Sequence, residues 1–335
     1  MRATTLLLAL TLPLMPLAAW AQDASDTPLG IGLEGFAYPY PVRFLPLTRD
    51  GEAQRLAYMD VAPTGTANGR TVLLLHGRNF PSSYWAPVVA ALTQGGYRVV
   101  APDQLGFGKS GKPVGAFTFD RMAADTVALL DALSLRRVDV VAHSMGGMLA
   151  VRLARNAPDR VNSLVLEAPI GLEDYRFSVP PVPDETLLAR EGELTAAAYR
   201  RQLMTSYALS LPESAIEPFV QIRERVKGAG EYPRWLRSFV NSYTMIWGQP
   251  VVHEIPLVQV PTLFVMGGAD HNAPGKAYAP PELAARMGRN AENAQALAAR
   301  MPSGKALVFD GIGHLVHMEA TERFNGAVLE FLDGH

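Results

Sequence analysis

The chain has 335 residues, 48% of them hydrophobic, enough to bury a large core as one extended α/β domain or as a core carrying an inserted subdomain. Its formal net charge is -2 and its Lys and Arg residues are scattered without a basic run, which excludes the footprint of a nucleic-acid or anionic-membrane binder. There is no cysteine, so disulfides, a thiolate nucleophile and thiolate metal sites are excluded too.

Residues 1–21 stand apart from the fold. Arg2 supplies a positive start, residues 6–17 an apolar segment and Ala19-Trp20-Ala21 a small-x-small site, the pattern of a secretory signal cut before Gln22. Pro13 and Pro16, with the small residues after them, favour cleavage over a retained anchor. No other stretch is apolar for long enough to span a bilayer, so the expectation is a periplasmic or secreted protein without stable membrane insertion after processing.

After a Pro- and Gly-containing lead-in, residues 42–47 and 55–61 alternate as two strands of a hairpin around Arg49-Asp50-Gly51. Residues 71–75 form a continuous apolar run ending in His76-Gly77, a central strand by its pattern. Ser82 or Ser83 is placed to cap a helix through Trp85, Val88, Val89 and Leu92 to Gly95-Gly96. A buried strand at 97–101 leads into the loop 102–108, and a helix at 119–135 carries Met122, Val127, Leu130 and Leu133 as its apolar positions. A valine-rich strand from Val138 runs into a helix of small and apolar residues at 145–154, and another strand follows at 163–166. This alternation predicts a mostly parallel, doubly wound α/β sheet covered on both faces.

The alternation breaks after Ile170. Residues 171–250 carry helical periodicity and many aromatics, among them Tyr199, Tyr207, Phe219, Trp235, Phe239, Tyr243 and Trp247, and begin near the stiff connector Val179-Pro180-Pro181-Val182-Pro183. Most of these rings are expected to form a helical core of their own, with a few turned towards Ser144 as an apolar lid. From Pro261 the α/β pattern resumes with a strand at 262–266, the turn Gly267-Gly268-Ala269-Asp270, a helical stretch at 281–301, a strand at 306–309, the loop 311–314 and a closing helix at 319–332. The expected organisation is a signal peptide at 1–21, a core in two parts at 22–170 and 251–335, and an inserted helical lid at 171–250.

The segment Ala142-His143-Ser144-Met145-Gly146 carries the chemistry. A strand that turns directly into a helix through one residue holds that residue in a strained backbone and leaves its side chain exposed at the carboxyl edge of the sheet. Bulky neighbours two positions away would collide, and here they are Ala142 and Gly146. This is a G-x-S-x-G nucleophile elbow with its first glycine replaced by alanine. A serine hydroxyl is a poor nucleophile at neutral pH, so it needs a base, and the base needs an orienting carboxylate. Asp270 and His314 each lie in a loop after a predicted strand, where such groups must come from in a parallel sheet.

Together, His76-Gly77, Pro102-Asp103-x-x-Gly106-x-Gly108-x-Ser110, the Ser144 elbow, Gly267-x-x-Asp270 and Gly313-His314 make a chain that resembles an α/β-hydrolase-fold enzyme over nearly its whole mature length. The resemblance implies Ser144 as nucleophile, His314 as general base and then acid, and Asp270 as the carboxylate that fixes the imidazole tautomer. It also implies an oxyanion hole from two backbone N-H groups, one from Met145 and the other from the loop after His76-Gly77, with Arg78 the first choice and Asn79 the second. No cofactor and no metal is expected.

Other residues carry competing readings. His314 and His317 form a His-x-x-His pair, but no third ligand completes a metal motif with them. His143 is expected to pack or to line the pocket, His76 to support its loop, Asp103 to pin its own loop, and Glu167 is held in reserve as the acid. A serine at the elbow argues against relatives with an aspartyl nucleophile. Two enzymatic readings remain: hydrolysis of a carboxylic ester, lactone or related acyl bond through an acyl-serine, and hydrolysis of a carbon-carbon bond in ring-fission products, a subfamily that Ser144-Met145-Gly146-Gly147 and the lid also resemble. Export favours the first, with a small-molecule substrate bearing an apolar or aromatic acyl group. A non-catalytic binding protein on the same fold would have lost a triad member, and none is lost.

Overall fold

A computed structural model describes residues 27–335. The proposed leader at 1–21 lies outside the described residues. A hairpin opens the fold, with β1 (Val42–Arg49) antiparallel to β2 (Glu52–Val61). Its turn has positive φ at both Asp50 and Gly51, the backbone that matches the twist of a two-residue hairpin.

The remaining strands are β3 (Thr71–Leu75), β4 (Arg98–Pro102), β5 (Val138–His143), β6 (Val161–Glu167), β7 (Thr262–Gly267) and β8 (Gly304–Phe309). They form one sheet in the order β1-β2-β4-β3-β5-β6-β7-β8, parallel from β4 onward. Every residue of β3, β5 and β7 is buried, which is why apolar side chains dominate both faces of these strands, with Asp139 and His143 as buried polar exceptions in β5. Between the strands lie α1 (Ala86–Gln94), α2 (Phe119–Ala132) and α3 (Met145–Asn156). The chain adds β4 on one side of β3 and then crosses to add β5 on the other. The strand order therefore reverses between β3 and β5, the position at which open α/β sheets form a crevice.

The segment between β6 and β7 is helical, as its sequence predicts, and contains α4 (Asp184–Glu193), α5 (Ala196–Ser206), α6 (Glu213–Val226) and α7 (Tyr232–Gly248). After β7 come α8 (Pro281–Ala284) and α9 (Asn290–Ala298), and after β8 come α10 (Val316–Glu319) and α11 (Thr321–Asp333). Among the described residues, no helix is long and apolar enough to cross a membrane.

Two local expectations are corrected. The helix predicted over 281–301 is two helices, because Gly288 has φ 81° and a Cβ there would meet the His271 carbonyl oxygen at 2.4 Å. The closing helix expected over 319–332 is α11, with the short α10 ahead of it. Neither Ser82 nor Ser83 caps the helix before β4. That start is a short 3-10 turn preceded by Pro81, and the Ser82 N-H is satisfied by Asp103 Oδ1 at 2.7 Å.

Candidate active site

Ser144 occupies the single residue between β5 and α3, with φ 56° and ψ -118°. That backbone is strained for any residue with a Cβ, at a cost on the order of 1–3 kcal/mol, and it persists because the packing around it is tight. A Cβ on Gly146 would meet the Leu75 carbonyl oxygen at 2.3 Å and the His76 carbonyl oxygen at 2.8 Å, so only glycine lets α3 start this close to β3. Ala142, by contrast, sits in the regular parallel ladder opposite Leu75 and Leu166, where a Cβ is ordinary. The departure from the glycine pattern thus falls on the side of the elbow that tolerates it.

Asp270 follows β7 and His314 follows β8, and both converge on Ser144. The Ser144 hydroxyl donates to His314 Nε2 at 2.9 Å, and His314 Nδ1-H donates to Asp270 Oδ2 at 2.8 Å. Burial alone would raise the Asp270 carboxyl. Electrostatic attraction to the His314 imidazole and the hydrogen bonds from His314 and Asn272 outweigh it and hold the carboxyl below its ordinary range. A hydroxyl, an imidazole of fixed tautomer and an ionised carboxylate stand in the order needed to move a proton off the serine.

The two N-H groups named for the oxyanion hole, those of Met145 and Arg78, make no backbone hydrogen bond among the described residues. The neighbouring Gly77 N-H is committed, donating to the Tyr84 hydroxyl at 3.1 Å. The Arg78 side chain turns away into the helical insertion, where Nε donates to Ser242 Oγ at 2.9 Å and Nη2 to the Phe239 carbonyl at 3.0 Å and to Glu191 Oε1 at 3.3 Å. Arg223 pairs with Glu191 as well. Burial opposes the Glu191 charge, but the two guanidinium groups outweigh it and bring the carboxyl down to about 2. Asn79 Nδ2 donates to the Tyr207 hydroxyl at 3.1 Å.

The supporting residues resolve as follows. His76 Nε2 accepts the Gln104 N-H at 2.9 Å and its Nδ1-H donates to the Gly77 carbonyl, so it ties two loops together as expected. Asp103 accepts from Tyr38, Ser82 and Lys109 and pins the loop after β4. His143 packs behind Ser144, with Nδ1 accepting from the Tyr84 hydroxyl and Nε2-H donating to the His314 carbonyl at 3.0 Å. Burial, reinforced by the neighbouring His314 and His317, holds its pKa well below the ordinary histidine value, so it stays neutral. Glu167, the reserve acid, is engaged elsewhere. Its carboxylate accepts from the His317 backbone N-H and from His317 Nδ1-H, both at 2.8 Å. His317 is thereby a buried partner of Glu167, and no group of three potential metal ligands occurs among the described residues.

Tyr84 has no signal in the sequence that ties it to the site, and Tyr207 stands there only as one of several insertion aromatics. Tyr207 belongs to the insertion, yet its carbonyl accepts from His314 N-H at 2.8 Å and Leu315 N-H at 3.2 Å, and its ring lies edge-on to His314 with centroids 5.0 Å apart. The site opens into a cavity of about 640 Å³ lined by Ser144, His314, Arg78 and Asn79, by Leu187, Leu194, Tyr243 and Ile246 of the insertion and the residue that follows α4, and by the loop after β7. Of the insertion aromatics, Tyr207 and Tyr243 line this cavity, while Tyr199, Phe219, Trp235 and Phe239 are buried among the helices.

Comparison with known proteins shows the family of the fold. Residues 70–277 match the family described as alpha/beta hydrolase fold. The chain is similar to a solved structure described as a probable hydrolytic enzyme from Pseudomonas aeruginosa PAO1, at 40% identity and a TM-score of 0.89, covering 92% of this chain and 99% of that one. It is also similar to a 2-hydroxy-6-oxononadienedioate/2-hydroxy-6-oxononatrienedioate hydrolase of Burkholderia vietnamiensis, 30% identical over 87% of this chain and 95% of the relative. A non-heme chloroperoxidase of Kitasatospora aureofaciens is 30% identical over 85% and 98% of the two chains.

Proposed function

Starting from the fact that this chain belongs to the α/β-hydrolase-fold family, we propose that it is a serine hydrolase that cleaves carboxylic esters or related acyl bonds through an acyl-serine. The observation that carries this reading is the unbroken relay from Ser144 through His314 to Asp270. In the first half-reaction, Ser144 Oγ attacks the substrate carbonyl carbon as its proton passes to His314 Nε2. The negative charge on the carbonyl oxygen is met by the N-H groups of Met145 and Arg78, each worth roughly 3 kcal/mol of transition-state stabilisation. Collapse expels the alcohol, which takes the proton from His314. A water molecule, deprotonated by the same imidazole, then attacks the acyl-serine and releases the acid.

The helical insertion acts in this reading as a lid, and the apolar side chains Ile170, Leu187, Leu194 and Ile246 favour a substrate with an apolar body. The purified protein is expected to turn over 4-nitrophenyl hexanoate, and Ser144→Ala to abolish that turnover. An unchanged rate in the variant overturns the assignment.

The second reading, hydrolysis of a carbon-carbon bond, is favoured by the 30% identity to the Burkholderia vietnamiensis enzyme over most of both chains. Rapid turnover of a dienol-dione with negligible ester cleavage would establish it in place of the first. We also propose export, from the signal-like residues 1–21; the N-terminus of the protein recovered from the producing cell should then be Gln22.

A further inference from the structure

The wall of the cavity is unevenly charged. Arg78, Arg190 and Lys276 line it, and Glu191 is the one carboxylate side chain among its lining residues. Glu191 is already shared between Arg78 and Arg223, so two guanidinium groups flank a single negative charge.

Arg190 and Lys276 enter no ion pair among the described residues. Arg190 lies on α4, one helical turn from Leu187 and one from Leu194, and all three line the cavity. Arg190 is exposed, its guanidinium carbon lies 4.9 Å from the centre of the Tyr278 ring, and its N-H donors make no hydrogen bond among the described residues, so the ring holds the group while leaving those donors available. Lys276, on the loop after β7, gives one hydrogen bond from Nζ to the Met287 carbonyl at 3.1 Å, which leaves two of its three donors. The carboxylate within electrostatic reach of Lys276 is Glu173, which accepts the Gly288 N-H at 2.9 Å. Arg190 and Tyr278 bring the lid and the loop after β7 together at this end of the cavity, and Ser144 and His314 line the same space.

We infer that the cavity takes substrates whose apolar body ends in a carboxylate, bound by Arg190 and Lys276 while the scissile bond lies at Ser144. Such a site selects by charge what the apolar wall alone selects by size. The inference rests on the hydrolase reading for its turnover arm and on the charge distribution for its binding arm.

Two probes separate the arms: mono-4-nitrophenyl hexanedioate and its neutral counterpart of equal chain length, 4-nitrophenyl hexanoate. For the unaltered protein at low salt, kcat/KM should favour the half-ester about tenfold, and the preference should shrink towards parity at about 0.5 M NaCl. Arg190→Gln combined with Lys276→Gln should remove most of the preference, and Arg190→Glu should invert it. Equal rates for the two probes, or a preference unmoved by these substitutions, would overturn the inference and leave the hydrolase reading standing. Calorimetry on Ser144→Ala supplies the second arm, with tighter binding of the half-ester expected. If neither probe is turned over but the half-ester binds more tightly, the hydrolase reading falls and the anion site stands. If the two bind alike, the anion site falls.

Discussion

The Tyr84 hydroxyl donates to His143 Nδ1 at 2.9 Å while accepting the Gly77 N-H at 3.1 Å. One phenol thus joins the loop that precedes the proposed oxyanion donor to the residue that precedes the proposed nucleophile, and His143 continues the connection to the His314 carbonyl. Removing the hydroxyl leaves a buried donor and a buried acceptor unpaired, at roughly 1–3 kcal/mol each. Tyr84→Phe should therefore lower the thermal midpoint by several degrees and reduce kcat more than it changes KM. Differential scanning fluorimetry and steady-state kinetics check both.

Asp270→Asn tests the relay without emptying it. The amide can donate to His314 Nδ1 and so stabilises the wrong tautomer, leaving Nε2 protonated and unable to take the serine proton. A loss of about 10³- to 10⁴-fold in kcat is expected, with Tm within a few degrees of the parent. Glu167→Gln should not reproduce it, because Glu167 engages His317 and not His314.

The two flanks of the elbow should respond differently. Gly146→Ala forces a Cβ to within 2.3 Å of a backbone oxygen and is expected to cost more than about 2 kcal/mol or to prevent folding. Ala142→Gly should change stability by about 1 kcal/mol or less and retain activity, because the position lies in a regular ladder. Urea denaturation of the two variants gives the comparison.

Glu191 makes a pH-dependent contribution to stability. Its carboxyl is held down to about 2 in the folded protein against an ordinary 4.5, so its stabilisation is present above about pH 4.5 and is lost as the pH falls towards 2. With a fifth of its side chain exposed, the contribution is on the order of 2 kcal/mol. The difference in unfolding free energy between Glu191→Gln and the parent should be largest near pH 6 and narrow steadily below pH 4.5.

What the sequence disclosed was what depends on near neighbours. Residues 71–75 are legible as β3 because a strand buried on both faces must be continuously apolar, and Ser144 is legible because the elbow needs small residues at fixed spacing. Asp270 and His314 are legible because a parallel sheet confines chemistry to the loops at one edge of its strands. The features missed are long-range substitutions of one partner for another. Asp103 does the capping work assigned to Ser82, Glu191 and Ser242 hold a side chain over a hundred residues away, and Tyr84 meets His143 across 59 positions. The break at Gly288 was a local signal, since a glycine stood inside the predicted helix, and its weight came from the His271 carbonyl against it.

The peptide carbonyl of Tyr207 holds the backbone of the imidazole-bearing loop, and Glu319 bridges Ser210 to Gly313 beside it. Under the proposed function, the element that would set specificity is fastened to the one that would carry the base partly by main chain, not by exchangeable side chains alone. A chimera that borrows its cover from a homologue would have to import the 207–210 corner intact, or lose turnover before any new selectivity could be seen.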